Sequence, residues 1–422
     1  MVGLTNVVRE KVTVASLEEN QTIPWYRSWG PGAIVAACII GPGTVTTVSV
    51  AGAQFGFQVA WILVLACLVG YFIQRPVINW TVATGTSVLE GIRDEISSLW
   101  SKLIFFGLWL GALAFQAGNF IGASMAMNLI FPSVPMLAWV SLLSVSAMGI
   151  AWFGVYKVLE NINRIVMIML VLTFCLTALA ALPNAGATIN QGFTFSIPQG
   201  DLLIVLALIA TILVPNTLVA LSGFMKDKYR HSAYTKEQIR SISVNDLKIN
   251  FTLLAIISIA ILLSSAAAFY GSGQTINSAG DMAVQLTPIL GSFATIFFAI
   301  GLWTAGFSSG LFNLTVQPML FGHAFNQSES PDAPVNRIIL IVTGLIPIAL
   351  VWAFGGSPIE LIISAQAING LLLPVLTVVL YRLTNKKDRM GRFHNSASSN
   401  IITLFIIGLV TLLAIRVFIS FF

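Results

Sequence analysis

The chain has 422 residues, of which 57% are hydrophobic and only 9% are charged, and its mean hydropathy is +0.89. Soluble domains carry about 25% charged residues, so this composition excludes a soluble protein and indicates an integral membrane protein. The net charge of +5 points to membrane topology, as argued below, and not to nucleic-acid binding. The three cysteines show no spacing typical of a disulfide or a metal site, and no cofactor is expected.

Runs of about twenty apolar residues predict the membrane-spanning helices. The first 24 residues carry both signs of charge and no apolar stretch followed by a cleavage site, which is typical of a cytosolic tail. We therefore expect a cytoplasmic tail over 1–28 and a single transmembrane domain over 29–422. The eleven predicted spans are 32–52, 57–76, 101–130, 135–154, 163–182, 202–222, 250–271, 289–320, 337–354, 359–381 and 400–421.

The basic residues predict the orientation of the chain. Cytoplasmic loops carry an excess of lysine and arginine, and with eleven spans the N-terminus shares its side with the loops after even-numbered spans. Of the 21 basic residues only Arg416 falls near the opposite face. We expect a multi-pass protein of the plasma membrane with a cytoplasmic N-terminus and an external C-terminus. The lipid bilayer is then its surrounding, and neither a nucleic-acid partner nor an obligate protein partner is expected.

The remaining polar groups are expected mainly outside the membrane. The segment Lys226–Lys248 is charged and is interpreted as a solvated cytoplasmic connector that ends near Asp246. The three histidines, among them His323, are expected in cytoplasmic loops. No histidine or carboxylate is therefore expected near the middle of the bilayer.

The first span contains the break around which the chain is organised. Pro42 lies between Gly41 and Gly43 in an apolar run, and a proline there removes a backbone donor and clashes with the preceding turn. A second break follows at 214–216, where the sequence is Val-Pro-Asn. Non-helical backbone at membrane depth is tolerated only where protein or a polar cavity surrounds it. Paired broken helices are the sequence sign of the binding site of a secondary transporter.

After the first break the chain continues as Ala-Gly-Ala-Gln-Phe-Gly over residues 51–56. This run is similar to that of the Nramp family of divalent-metal transporters, whose first span carries Asp-Pro-Gly-Asn before it. The resemblance extends over most of the chain and implies an all-α LeuT-type fold. That fold has two inverted repeats of five spans, here about 32–182 and 202–381, and one extra helix at about 400–421. The other matching residues are Gln74, Thr84-Gly85, Asn119-Phe120-Ile121-Gly122, Asn128-Leu129, Pro215, Ser308-Ser309 and the stretch from Gly355-Gly356 to Pro374.

The residues at the metal site differ from the pattern of that family. Its first-span Asp and Asn, which are metal ligands, correspond to Gly41 and Thr44 here, and its sixth-span Met corresponds to Val214. The third-span Asp and Glu that the family associates with proton movement correspond to Gln116 and Asn119. A divalent cation among neutral groups alone would keep most of its charge uncompensated. The sequence therefore predicts that the usual transition-metal site is lost.

The breaks offer a different chemistry. A helix that restarts after a break points free N–H groups and the positive end of its dipole at the site, which favours an anion. Neighbouring hydroxyls and amides add neutral hydrogen-bonding groups, although each of them has close packing of a bent helix as its alternative role. The expected substrate-binding residues are Gly41, Gly43, Thr44, Thr46, Thr47, Thr211, Val214, Asn216, Thr217, Gln116, Asn119 and Gln366.

Two adjacent hydroxyls on the eighth span resemble the sodium site of sodium-coupled transporters with this fold. The candidate sodium residues are Ile40, through its backbone, and Ser308 and Ser309. The alternative is that the two serines only allow close contact between helices. Sodium is accordingly a candidate coupling ion.

These patterns leave more than one function open. The first hypothesis is an alternating-access secondary transporter of a small anion, either bicarbonate or a small carboxylate. The alternative is a transporter of a divalent cation, hydrated Mg²⁺ or Mn²⁺, whose reduced site uses amides and carbonyls while the ion keeps its water. A channel or a sensor is a third hypothesis, which paired breaks suit less well. An enzyme is not expected, because the sequence has no nucleophile–base pair and no metal cluster.

Overall fold

The structure, a computed structural model, describes residues 31–32, 38–153, 168, 171–180, 195, 202–330, 332–354 and 358–420. Within these ranges the regular secondary structure is helical. The described residues contain nine helical segments that are long and apolar enough to cross a membrane, by length and composition, when the two parts of an interrupted helix are counted together. The all-α membrane fold is therefore confirmed. The predicted first and fifth spans lie partly outside the described residues and the predicted tail lies wholly outside them, so the number of eleven spans stays a prediction.

The helices follow the predicted spans closely. The first half of the chain contains α1 Pro42–Phe55, α2 Ala60–Thr84, α3 Val88–Glu95, α4 Ser98–Ile130, α5 Met136–Phe153 and α6 Val171–Ala180. The second half contains α7 Leu202–Ile212, α8 Pro215–Tyr229, α9 Lys236–Phe269, α10 Ala279–Val284, α11 Thr287–Leu290, α12 Ala294–Phe325, α13 Pro334–Phe354, α14 Pro358–Asn369, α15 Leu373–Thr384, α16 Lys387–Met390 and α17 Ala397–Ser420.

Both predicted breaks are present. Gly41 is extended, with φ −111° and ψ −176°, and Pro42 is the first residue of α1. Val214 is likewise extended, with φ −75° and ψ 115°, and Pro215 is the first residue of α8. At the first position of a helix a proline loses no hydrogen bond, and its fixed φ suits the helix. The two prolines therefore start the second half of each broken helix.

A third interruption was not predicted. The predicted tenth span is divided into α14 and α15 by a 3₁₀ turn over Gly370–Leu372, and Pro374 lies in the first turn of α15. Proline at this position again begins a helical segment, which explains why the turn occurs where it does.

Packing between helices of the first and second halves holds the breaks in place. The long helix α4 packs against α12 and α14, while α1 lies against α7 and α9. Small residues permit this close approach: a Cβ added to Gly306 of α12 would lie 2.5 Å from the carbonyl oxygen of Asn119 on α4. The breaks are thus enclosed by other helices, as backbone without helical hydrogen bonds requires at membrane depth.

Two expectations about the predicted cytoplasmic side were wrong. The segment Lys226–Lys248 is mostly helical, because α8 continues to Tyr229 and α9 begins at Lys236. A capping box between Thr235 and Gln238 supports this early start of α9. His323 is not a loop residue but is buried in α12, with 1% exposure. Asp246 lies in α9 before the predicted seventh span and is 3% exposed.

Candidate functional site

The two broken helices are joined by a pair of threonine hydroxyls. Thr44 Oγ1 lies 2.9 Å from Thr211 Oγ1 at the end of α7, and it donates a hydrogen bond of 2.5 Å to the carbonyl of Ile39. Both side chains are fully or almost fully buried. The sequence placed Thr44 and Thr211 at one site although 167 positions separate them, and the structure brings them together.

Helix α12 supports the first break from another side. Ser309 Oγ donates to the carbonyl of Cys38 over 3.1 Å. A Cβ added to Gly41 would lie 3.1 Å from that same hydroxyl and 3.2 Å from Asn119 Oδ1. Gly41 is therefore the point where α4 and α12 both reach the non-helical backbone of the break.

Helix α14 closes the remaining side. Gln366 lies directly on Gly43, so that a Cβ at this glycine would overlap the amide. Gln366 is fully buried, as is Asn119. We use the term cradle for the six residues that meet here, which are Gly41, Gly43, Thr44, Asn119, Thr211 and Gln366.

The cradle contains polar atoms without partners. Among the described residues, both amide atoms of Asn119 and both of Gln366 are buried and make no hydrogen bond. The hydroxyls of Thr46 and Thr47 in α1 are in the same condition. Buried polar groups are nearly always satisfied, and the exceptions call for an explanation such as a bound water or ion. The unpartnered atoms fit a small polar ligand.

The helix ends at the cradle add a partial positive charge. Neither α1 nor α8 has a side chain that caps its N-terminus, and neither has an acidic residue in its first turn. Free N–H groups and the helix dipole therefore face the two breaks. The described residues hold no group of three or more His, Cys, Asp or Glu side chains that could bind a metal ion. The cradle is uncharged.

Several predicted site residues point elsewhere. Asn216 donates to the carbonyl of Leu108 over 3.0 Å, and the hydroxyl of Thr217 bonds the carbonyl of Val214 over 2.8 Å. These contacts hold the second break together. Val214 itself supplies backbone to the break, as Ile40 does in the first.

The amide of Gln116 and the hydroxyl of Ser308 also have protein partners. Gln116 Oε1 accepts from Asn313 Nδ2 over 2.9 Å, which ties α4 to α12, while Gln116 Nε2 stays unpartnered. Ser308 bonds the carbonyl of Ala305 in its own helix over 3.2 Å. Of the two candidate sodium serines, only Ser309 contacts the first break.

Two further buried polar groups lie outside the predicted set of site residues. Asp246 Oδ2 accepts a hydrogen bond of 2.8 Å from the backbone N–H of Gly32, at the start of the first span, and Asp246 Oδ1 accepts one of 2.8 Å from Asn250. Asn369 in α14 is 2% exposed, and both of its amide atoms are unpartnered. In the sequence, Asp246 is a carboxylate just before the predicted seventh span, and Asn369 is one of the few amides within the predicted tenth span.

Comparison with known proteins settles the family. The profile of the family described as "Natural resistance-associated macrophage protein-like", or Nramp, matches residues 32–420. This chain belongs to the Nramp family. The match covers the whole of the described transmembrane region, which confirms the resemblance noted from the sequence motifs. An Nramp protein is a membrane transporter and no enzyme activity is indicated for it.

Curated relatives in the Nramp family cover almost the full chain. The chain is 25% identical to the "Divalent metal cation transporter MntH" of Caldanaerobacter subterraneus subsp. tengcongensis over 389 residues, 91% of this chain and 90% of that protein. It is 26% identical to the protein of the same name from Listeria welshimeri over 390 residues, 89% of this chain and 85% of the relative. These names favour the divalent-cation alternative over the anion hypothesis that the sequence placed first.

Solved structures show the fold. A mutant of the Eremococcus coleocola manganese transporter superposes with a TM-score of 0.78 at 18% identity, covering 95% of this chain and 88% of that one. The transporter MhsT with bound L-phenylalanine gives 0.62 at 16% identity, with 93% and 98% covered. Inward-facing Mhp1 gives 0.61 at 11% identity, with 92% and 90% covered. The LeuT-type fold is therefore confirmed.

Proposed function

We propose that this Nramp protein is a secondary transporter that carries a small ion across the membrane by alternating access. The observation that carries the proposal is the contact between Thr44 and Thr211, which joins two broken helices from the two halves of the chain at a buried, uncharged cradle. Broken helices that meet between structural repeats are where transporters of this type bind their substrates.

A divalent cation is the first candidate substrate, because the relatives that cover the chain are named divalent metal cation transporters. The cradle offers neutral oxygens for such an ion: the hydroxyls of Thr44 and Thr211 and the unpartnered amide oxygens of Asn119 and Gln366. Hard cations accept hydroxyl, amide and water ligands, and Mg²⁺ in particular keeps several of its waters. The ion would accordingly be Mg²⁺ or Mn²⁺ with part of its hydration shell. Without a carboxylate in the cradle, we expect weak affinity.

A small anion is the second candidate, and one specific observation favours it. Both α1 and α8 begin at the breaks without a capping side chain, and such N-termini attract anions. The unpartnered Nδ2 of Asn119 and Nε2 of Gln366 add two donors. Bicarbonate or a small carboxylate would meet these donors without repulsion from a nearby carboxylate.

Sodium is kept as a candidate coupling ion. Ser309 Oγ lies 3.1 Å from the carbonyl oxygen of Cys38, which precedes the candidate residue Ile40 by two positions. Hydroxyl and carbonyl oxygens are ligands that a monovalent hard cation accepts. Ser308 would need another rotamer to join them, because its hydroxyl now bonds the carbonyl of Ala305.

Flux into proteoliposomes that contain the purified protein tests the proposal. Entry of Mg²⁺ and Mn²⁺ is followed with trapped indicators, and uptake of labelled bicarbonate and acetate is followed with and without a sodium gradient. Saturable entry of a metal ion supports the first candidate, and saturable uptake of an anion without metal entry supports the second. If none of the four ions enters faster than in protein-free vesicles, the proposed function is wrong.

Substitution of Gly41 separates the two candidates within one protein. A side chain at Gly41 would point at Ser309 and Asn119, and Gly41→Asp would add a carboxylate to the cradle. For a cation substrate the KM should fall, because the new charge balances that of the ion; for an anion it should rise. Gly41→Asn has the same shape without the charge and is the matched control.

A further inference from the structure

The unpredicted turn in the tenth span lies beside the second break. Gly370, the first residue of the turn, packs on the end of α7: a Cβ added to it would lie 3.1 Å from Cβ of Ala210. Ala210 directly precedes Thr211, the residue that joins the two broken helices. The end of α14 is therefore in contact with the helix turn that leads into the second break.

Asn369, the last residue of α14, is placed between this turn and α4. On the α4 side it faces Gly111, where an added Cβ would lie 2.8 Å from Asn369 Oδ1. A side chain at position 111 would fill the space that the amide occupies. With 2% of its surface exposed, Asn369 has neither a donor for Oδ1 nor an acceptor for Nδ2 among the described residues.

Gln366 lies one helical turn before Asn369 on the same face of α14, because residues three apart are neighbours on a helix. Gln366 contacts Gly43 at the first break and lies 3.7 Å from a Cβ added to Gly118. One face of α14 thus carries two buried amides, Gln366 at the first break and Asn369 directly before the turn that contacts α7. All four of their polar atoms are unpartnered within the described residues. A packing role alone does not account for this pair, since burying polar atoms without partners costs free energy that leucines of similar size would not cost.

We propose that Asn369 forms a second ligand position for the transported ion, next to the cradle and on the side of the second break. The proposal rests on the proposed function above. Its ligand is a small ion with part of its water shell, since an amide offers one acceptor and one donor group and suits water or a polar oxygen at close range. The ion then contacts Gln366 beside the first break and Asn369 beside the second, and the face of α14 spans the distance between the two.

Replacement of Asn369 by leucine tests this assignment. Asn369→Leu keeps the side-chain size and removes the polarity, so it should raise KM for the ion that the wild-type protein takes up by about tenfold, the loss of roughly one hydrogen bond. The melting temperature should stay equal or rise, because the buried unpartnered amide is gone. An unchanged KM overturns the proposal. If the melting temperature also falls, the amide has a structural role, either in packing or in holding a structural water.

Asn128→Leu is the matched control. Asn128 lies at the outer end of α4 and donates to the carbonyl of Val134 over 2.7 Å. Because this amide has a protein partner, its replacement should lower the melting temperature and leave KM unchanged. If both variants raise KM equally, the effect of Asn369→Leu is not specific and the assignment fails.

A labelling experiment separates failure of this proposal from failure of the proposed function. In a protein whose Cys38, Cys67 and Cys175 are replaced by alanine, Asn369→Cys should react with a small water-soluble thiol reagent. Ala367→Cys, on the same helix and 0% exposed in the apolar core, should not. Labelling at 369 in a protein that transports none of the tested ions disproves the proposed function and keeps the polar subsite. Equal rates at 367 and 369 in a protein that transports disprove the subsite.

Discussion

The side-chain amide of Gln366 lies on the backbone of Gly43, so close that a Cβ at this glycine would overlap its Nε2. The contact joins α14 to the first break directly. It explains why a glycine follows Pro42 without any demand for unusual backbone angles, since Gly43 lies within the first turn of α1. The position needs a residue without a side chain because another helix occupies the space.

We therefore expect Gly43→Ala to destabilise the protein by about 1–3 kcal/mol, the usual cost of overpacking, and to abolish transport by displacing Gln366. In a protein that also carries Gln366→Ala the same substitution should cost less, because the overlapping amide is gone. Thermal unfolding and ion flux measure both effects. Gly149→Ala is the control, since nothing lies within 4 Å of a Cβ at that helical glycine. Equal destabilisation in both Gln366 backgrounds would contradict the contact.

Thr44 and Thr46 provide a matched pair on α1. Both are buried, but Thr44 Oγ1 bonds Ile39 and Thr211 while the hydroxyl of Thr46 has no partner in the described chain. Thr44→Val should destabilise by about 1–3 kcal/mol, because it leaves buried groups unsatisfied. Thr46→Val should be neutral or stabilising for folding. The free energy of unfolding in detergent measures the difference. Equal stability of the two variants would show that the hydroxyl pair does not hold the breaks together.

A charged cluster joins three elements on the predicted cytoplasmic side. Lys226 of α8 lies 2.7 Å from Glu90 of α3 and 3.7 Å from Glu329, whose carboxylate is 3.1 Å from His323 Nε2 at the end of α12. The bond from His323 is the main reason that the pKa of Glu329 is lowered. Burial by itself raises the pKa of Glu90, but the bonds from Lys226 and the backbone of Ser87 outweigh it and lower the pKa.

The cluster predicts a loss of stability in acid. Both carboxylates titrate below their ordinary pKa of about 4.3 in the folded protein. Their contribution is therefore complete above that pH and is lost as the pH falls through the lowered values. Glu329→Gln should make the free energy of unfolding less sensitive to acid, by about 1 kcal/mol or less, because solvent screens a partly exposed pair. The thermal unfolding midpoint, measured across this pH range, reports the change. The exposed Asp332→Asn, with a side chain 81% exposed, is the control. Identical acid sensitivity in wild type and Glu329→Gln would rule out this pair as the cause.

Sequence patterns predicted most of the fold and part of the site. Apolar runs located the spans, and the motifs around Pro42 and Pro215 located both breaks and the family. Prolines by themselves do not mark a break, because Pro76, Pro318 and Pro347 lie inside continuous helices. Pro42 and Pro215, which mark the two predicted breaks, each follow an extended residue, Gly41 or Val214. The sequence put an anion before a divalent cation as the substrate, because the charged ligands of the family are replaced by neutral residues. The names of the relatives favour the opposite order.

The sequence by itself determined the properties that depend on residues close together along the chain. Hydrophobicity over about twenty residues defines a span, and a local Gly-Pro-Gly motif defines a break. Which of the predicted polar groups meet at the breaks, and which bond elsewhere, was decided by the tertiary structure. Gln366 reaches the first break because α14 packs beside α4 and α7, whereas Asn216 is turned towards Leu108 by a hydrogen bond across 108 positions. Such contacts depend on how helices pack, and helix packing is set by the whole chain and not by any one segment.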